Sequence, residues 1–518
     1  MISPKQLKFL VIGAGQRGHC YAEPIKETTT AKIHAVAEPV PFRRQVFGET
    51  YIWNVNEGPT EGQEFSDWKA WLTWETDRRH RQALGESVPE GVDGVFVCTL
   101  DETHVEIMRA LAPMQLHIMC EKPLATSLAD CLSIYRAFAP SAAGQDRDHD
   151  QTKIFSIGHV LRYSPHNLLL RKLLLTDRVI GDILSIEHVE PVGWEHFPHS
   201  FVRGHWRRQT PNGDGSLLTK CSHDIDFLLW MLSSPPSDDI SRQSSHLPRS
   251  VSSMGSRNQF RLSRKPLTAG TATNCISCPM ERNCQYSAVQ IYEDNRLAKG
   301  DYHWLDHIVY DIEDVIRVSG VDAGRKKLLD KLSEDYDRST TPDAIIASRP
   351  WYGRCVYESD NTVCDDQYVT ITWDEDTSSN PPRPGKTAVL HMIANTEKEC
   401  ERRGRVYGSC GELTYDSHMI KYFDFLTQTT SVVDVPRQPI DEKRSHGGGD
   451  YGLVRAFVTA VDAVENHGCQ TLDAQLRYVG CTLEDIIRGH FLVFAAEEAR
   501  REEKVIQWLS WWEKTLST

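Results

Sequence analysis

The apolar positions of the first 160 residues fall into short runs separated by amphipathic stretches. Leu7–Ile12, Lys32–Ala37, Gly94–Thr99, His117–Cys120 and Lys153–His159 each have the length and composition of a buried strand. Helical spacing lies between them at Val105–Leu111 and Leu128–Phe138. Strands alternating with helices predict a doubly wound parallel sheet, with its ligand at the C-terminal strand ends. Beyond residue 160 the pattern changes. Ile183–Val189, Tyr368–Trp373 and Thr387–Ile393 read as strands of an antiparallel sheet. The last two flank Asp374–Lys386, whose Asn-Pro-Pro-Arg-Pro-Gly run predicts an exposed hairpin loop. Helices return at Tyr451–Val464 and Leu483–Arg501. The expected architecture is therefore two units: an α/β domain over 1–160, and a C-terminal α+β domain over 161–518 with a large open, mainly antiparallel sheet. Ser141–Gln151 is expected to be a solvated loop, and Ser233–Ser250, rich in Ser, Pro and Asp, a mobile excursion. The three tryptophans of Val505–Trp512 predict a core-packing helix or tail, with a subunit contact as the other possibility.

The first run ends directly in Gly13-Ala14-Gly15-Gln16-Arg17-Gly18, a G-x-G-x-x-G loop. Gly13 allows a tight turn, Gly15 lets backbone approach a pyrophosphate, and Gly18 lets the next helix pack closely. That helix points free N–H groups and its positive end at the diphosphate, and Arg17 is within reach of the same group. The second run ends in Glu38, 20 residues past Gly18, where a Rossmann dinucleotide fold places a carboxylate for the adenosine ribose. A carboxylate there repels a 2′-phosphate, so NAD is expected over NADP. Arg43 and Arg44 nearby leave NADP open.

At 518 residues the chain exceeds one compact core. A net charge of −14 without a long basic run argues against nucleic acid or an anionic membrane as partner. Met1–Gln6 lead straight into the first strand, which leaves no room for a signal peptide, and no apolar stretch is long enough to span a bilayer. A cytoplasmic protein is expected. Several of the fourteen cysteines, including Cys98, Cys120, Cys131 and Cys481, sit inside apolar runs and are expected to be reduced.

Cys120-Glu121-Lys122-Pro123 after the fourth of these runs, and His223-Asp224-Ile225-Asp226 opening an apolar helix, combine with the glycine loop into a recognisable set. The chain resembles the glucose–fructose oxidoreductase, inositol dehydrogenase and rhizopine-catabolism family. Lys220–Asp224, Val251–Gly255, Cys275–Tyr286, Tyr352–Cys355, Asp365–Gln367 and His446–Asp450 are similar to one large branch of it. The resemblance implies a dinucleotide domain followed by a domain whose open sheet carries the sugar site. It also implies a homo-oligomer formed through that sheet, as family members commonly are. Thr99 and the loop to His104 would lie along the cofactor with Glu121, and Lys122 would contact a substrate hydroxyl and the nicotinamide ring.

Oxidising a secondary alcohol needs a base for the hydroxyl proton while hydride leaves the same carbon. A desolvated Lys122 and a neutral His223 suit that task, with Asp226 orienting the imidazole or capping its helix. Read without the family, Lys122 is a surface residue after a turn, His223 a cap on a buried helix, and His104 a helix start. Inositol dehydrogenase-like members carry an Asp four residues before the His; here Thr219 stands there, next to Lys220. Lys220 either binds an acidic or phosphorylated substrate or forms an ion pair between domains. Arg162 is a further candidate for the substrate cleft.

Cys275, Cys278 and Cys284 form C-x2-C-x5-C, whose first pair has zinc-knuckle spacing. A structural zinc needs a fourth ligand, which Cys221 or Cys355 would have to supply; three unliganded thiols are the alternative. The expected activity is that of an NAD(P)-dependent oxidoreductase acting on a hydroxyl-bearing carbon of a sugar, polyol or sugar derivative. The rivals are an NAD-dependent glycosidase working by transient oxidation and elimination, and a non-catalytic sugar- or dinucleotide-sensing regulator.

Overall fold

The computed structural model describes residues 4–139, 153–209, 215–235, 245–380, 382–436, 438–439 and 446–517. The Ser141–Gln151 loop and residues 236–244 of the expected excursion lie outside them.

Six parallel strands form the first sheet: β1 (Lys8–Ile12), β2 (Lys32–Ala37), β3 (Glu64–Phe65), β4 (Gly94–Val97), β5 (His117–Cys120) and β6 (Phe155–Ile157). Their order is β3-β2-β1-β4-β5-β6. The chain reverses direction across the sheet between β1 and β4, which opens a crevice at their C-terminal ends. Every residue of β1, β4 and β5 is buried, as continuous apolar runs covered on both faces require.

Nine strands form the second sheet: β7 (Ile183–Pro191), β8 (Ser250–Ser256), β9 (Asp366–Trp373), β10 (Lys386–Ile393), β11 (Arg403–Gly408), β12 (Gly411–Tyr415), β13 (Ile420–Asp424), β14 (Thr429–Val433) and β15 (Ile506–Gln507). The order is β14-β13-β12-β11-β7-β10-β9-β8-β15. Its pairs are antiparallel except β7 with β10. The β9–β10 hairpin has the expected loop between its strands. No described helix is long and apolar enough to cross a membrane.

The two sheets do not divide the core at residue 160. The helix Gly449–Glu465 returns to cover the first sheet, where Phe457 meets Phe9 and Phe96 with ring centroids 5.8 and 5.3 Å apart. Glu465 at its end lies 2.9 Å from His117 Nε2 and accepts from Lys153 Nζ at 2.6 Å. The carboxy-terminal helix Trp508–Ser517 buries Trp508 and Trp512, the latter 5.2 Å from the Phe491 ring. That satisfies the core-packing expectation for the tryptophan cluster.

Between β8 and β9 the chain builds a helical insertion that the apolar pattern did not reveal. Its helices Leu305–Ile308, Ile312–Ser319, Val321–Leu332 and Asp343–Ala347 are short, and Tyr292, Leu305, Ile312 and Leu328 give the insertion a small core of its own. It docks on the first sheet's shoulder after β2. Arg43 Nη2 lies 3.3 Å from Asp306 Oδ2 and donates to the Tyr310 carbonyl at 3.1 Å, while Arg317 sits 5.7 Å over the Phe42 ring.

Candidate active site

The glycine loop between β1 and the helix Gln16–Thr28 is built as its sequence demands. Gly13 has φ +96°, and a Cβ there would lie 2.6 Å from the Cys98 carbonyl oxygen. A Cβ on Gly18 would lie 2.3 Å from the Gly13 oxygen. Both positions exclude a side chain. Gly15 differs, because a Cβ there would meet nothing within 4 Å. Its bare backbone faces open space beside a helix start that no side chain caps. This is the cradle a diphosphate requires, so the residues present fit a dinucleotide.

Glu38 ends β2 buried, with Oε2 accepting from Ala14 N at 2.8 Å and Oε1 from Val40 N at 2.9 Å. It ties the glycine loop to the second strand at the ribose end. Arg44 is occupied by Glu64 at 2.7 Å and by the Glu38 carbonyl, and Arg43 by the insertion. Neither guanidinium is an uncommitted 2′-phosphate ligand.

Three residues expected on the cofactor side are engaged by other protein groups. Arg17 does not extend toward the diphosphate. Its Nε donates to Glu121 Oε1 at 2.6 Å, and its Nη2 to Tyr21 OH and Asp450 Oδ1, each at 2.7 Å. Glu121 is consumed in the same buried network, where burial pushes its carboxyl up but Arg17 and Lys122 outweigh it and hold the value low. His104 is fully buried, with Nδ1 2.8 Å from the Pro123 carbonyl and Nε2 3.2 Å from that of Thr99. It clamps the loops after β4 and β5 together rather than presenting an imidazole to a ligand. Thr99 accepts from the Thr103 hydroxyl at 2.7 Å.

Lys122 follows β5, and its Nζ donates to the Thr219 carbonyl at 2.7 Å. Thr219 closes the short helix Ser216–Thr219, and the helix Ser222–Leu232 carrying His223 begins three residues later. One hydrogen bond therefore ties the end of the first sheet to the start of the His223 helix. Burial lowers the Lys122 amine, against the pull of Glu121 and Asp101. Burial also lowers His223 well below its ordinary value, with Lys122, Arg402, His159 and His446 adding to it. The His223 ring lies 5.9 Å from that of His159 and 6.5 Å from that of His446, and its Nδ1 is buried with no hydrogen-bond partner among the described residues. Lys122 is thus near enough to His223 to disfavour a proton on the imidazole.

The expected helpers of His223 are otherwise engaged. Asp226 takes a bidentate pair from Arg162, Nε and Nη2 each at 2.7 Å, and both side chains are buried. Asp226 is thereby committed to Arg162 rather than to the imidazole, and of the guanidinium only Nη1 has no partner among the described residues. Lys220 donates to Cys400 Sγ at 2.8 Å and lies 3.7 Å from Glu190, which favours its ion-pair reading. Asp224, passed over as a site residue, receives His188 Nε2 at 2.9 Å and Arg402 Nε at 2.6 Å. His159, Glu190 and Arg402 were missed because each lies far in sequence from the groups it faces; His446 and Asp450, which pair with each other at 2.7 Å, were singled out only as part of the resemblance.

The cysteine expectation divides. No two of the fourteen thiols are joined. Cys275, Cys278 and Cys284 do not form a metal cage: no three of their sulfurs, with or without Cys355 or Cys221, gather within 4.8 Å among the described residues. Cys275 instead accepts from the buried Arg203 at 3.3 Å, a cation that disfavours a metal there.

With the fold and site in view, known proteins can be set beside them. Residues 7–142 match the profile of the oxidoreductase family with an NAD-binding Rossmann fold. The match is confined to this part of the chain. The 2,7-anhydro-N-acetylneuraminate hydratase of Escherichia coli is 29% identical over 145 residues, 28% of this chain and 35% of that protein. Inositol 2-dehydrogenase 2 of Saccharopolyspora erythraea is 28% identical over 173 residues, 33% of this chain and 43% of its own length. The chain spans less than half the length of either relative. Across the whole chain, the NAD+ complex of an inositol dehydrogenase homolog from Azotobacter vinelandii has the same fold. Its TM-score is 0.59 at 14% identity, covering 98% of each chain. The two-sheet architecture is therefore shared well beyond the part of the sequence that the family profile covers.

Proposed function

We propose that the protein is an NAD-dependent oxidoreductase acting on a hydroxyl-bearing carbon of a sugar, polyol or sugar derivative, with Lys122 and His223 handling the hydroxyl proton. The observation that supports this reading is the Lys122 bond to the Thr219 carbonyl, which ties the end of β5 to the start of the His223 helix, with Lys122 near enough to bear on the imidazole. Gly13–Gly18 and Glu38 would hold the dinucleotide, and when bound it supplies the hydride acceptor or donor. The committed state of Arg43 and Arg44 supports NAD over NADP.

Each step assigned to this chain concerns the proton. A substrate hydroxyl entering the cleft donates to neutral His223, which takes the proton as C–H is lost. Lys122, held charged or neutral according to burial and Glu121, steadies the developing alkoxide by hydrogen bonding. In the reverse direction the same two groups return the proton to a carbonyl oxygen. Screening aldoses, inositols, uronic acids and anhydrosugars for growth of reduced-nicotinamide absorbance tests the reading. Turnover on a panel member that disappears in Lys122→Ala supports it; turnover unchanged in both Lys122→Ala and His223→Ala rejects it.

A second reading is transient oxidation, elimination or hydration, and return of the hydride to the same substrate. The insertion favours it, because Asp306 and Tyr310 brace the residues after β2 at the adenosine end, where a permanently held cofactor needs walls. The name of the hydratase relative agrees with it. Cofactor that co-purifies and never accumulates in reduced form marks this second reading.

A further inference from the structure

We propose that His196, Glu399 and Cys400 form a binding site for a zinc-class divalent cation. They are the one group of three His, Cys, Asp or Glu residues among the described residues whose ligand atoms all lie within 4.8 Å of one another. Imidazole, carboxylate and thiolate are the donor set that borderline-soft divalent ions select, and three protein donors leave a fourth position for water.

The site is built by the scaffold rather than by chance meeting of surface chains. His196 lies on the segment after β7, and Glu399 and Cys400 on the segment after β10, the neighbouring parallel strand. Backbone bonds lace these segments together: Val192 N to the Ile393 carbonyl at 3.0 Å, Trp194 N to that of Thr396 at 3.0 Å, and Cys400 N to that of Pro191 at 2.7 Å. Cys400 is held at φ +57°, and Gly193 at φ +104° packs against Glu399. His196 Nδ1 lies 2.7 Å from Glu399 Oε1, yet this buried nitrogen has no aligned hydrogen bond among the described residues. The imidazole and carboxylate pair with each other here, and a bound ion takes the place of that contact.

One group opposes a cation. Lys220 Nζ sits 2.8 Å from Cys400 Sγ. Glu190, whose Oε2 has Arg402 Nε at 3.0 Å, lies with its Oε1 3.7 Å from that ammonium and offers it an alternative seat there. A dication bound by thiolate, carboxylate and neutral imidazole leaves the local charge at zero and lets Lys220 turn wholly to Glu190. The ion binds with loss of the Cys400 proton to solvent.

The test is titration of chelator-treated full-length protein with Co²⁺, followed by its thiolate-to-cobalt charge-transfer band, and with Zn²⁺ by competition. One cobalt per chain with that band is expected. Cys400→Ser should remove the band, and His196→Ala should weaken binding by about tenfold or more. Lys220→Met should tighten it, since a neighbouring positive charge is gone. Glu399→Gln, at a half-exposed position, reports the same site if Cys400→Ser fails to fold. A band that survives Cys400→Ser, or vanishes in Cys275→Ser instead, overturns the proposal, as does cobalt far below one per chain or weaker binding in Lys220→Met.

Discussion

Asp226→Asn separates a structural from a substrate-binding role most sharply. Asp226 and Arg162 are 1% and 5% exposed at their side chains and joined by two bonds of 2.7 Å, so solvent screening is slight. Arg162 Nη1 already lacks a partner among the described residues, so no second acceptor stands ready. Removing one member of such a buried pair costs about 3–5 kcal/mol, because the other charge is left uncompensated. With an m-value of about 3 kcal/mol/M, the urea midpoint should fall by roughly 1 M or more. Arg162→Met in the same chain should recover much of that loss, giving a double variant more stable than the sum of the singles. The sign with pH follows from the lowered folded-state value of Asp226, which Arg162 enforces against burial. Its stabilisation is present above the unfolded carboxyl value of about 3.9 and is lost as pH falls through the folded one. The gap between wild type and Asp226→Asn should therefore stay flat from about pH 5 to 8 and narrow only at lower pH. KM for any substrate found should hold. An unchanged urea midpoint with a raised KM would refute the assignment and return Asp226 to the substrate.

Other variants probe the proton chemistry and the cofactor end. Lys122→Ala should lower kcat by about 10²–10⁴-fold while NAD binding, measured by calorimetry, persists. Because burial holds His223 well below its ordinary 6.5, the imidazole is neutral at and above that pH, and the acid limb of kcat/KM should lie below 6.5. His223→Asn should abolish that limb. Loss of the brace between the insertion and the residues after β2 in Arg43→Ala should speed NADH release about 3–10-fold in stopped-flow fluorescence, the worth of a hydrogen bond or two. An unaltered release rate would leave the insertion no part in holding the cofactor.

The parallel sheet was legible because strands such as β1, β4 and β5 are buried along their whole length and read as uninterrupted apolar runs; the two-residue, partly exposed β3 was not. β2 and β5, and the helices Leu128–Phe138 and Leu483–Arg501, fall at the bounds their sequences predict. Gly13, Gly15 and Gly18 were legible for a related reason: a backbone that tolerates no side chain leaves glycine at fixed spacing. The insertion was not, because its helices are short and half-exposed and bury their faces against one another. Side-chain partners were the least legible. Arg17 and Asp450 are 433 residues apart, and Lys122 meets a backbone carbonyl that any residue at position 219 would offer. The motifs singled out Lys122 and His223 for the proton chemistry proposed above, and set beside them charged residues that the fold brings against other side chains. Arg162 is neutralised by Asp226, and Lys220 is held by Cys400 with Glu190 3.7 Å away, because a buried charge is costly without an opposite or accepting group beside it.

The bare face of Gly15 offers the most direct measurement. Gly15 has φ −81°, open to any residue, and a side chain there would meet no protein atom within 4 Å. Gly15→Val should therefore leave the thermal unfolding curve in place, while its methyls fill the path of the diphosphate. Calorimetric titration with NAD should show affinity reduced about 100-fold or more, equivalent to about 2.7 kcal/mol. A stable Gly15→Val protein that binds NAD as tightly as the wild type would contradict a dinucleotide lying across this loop.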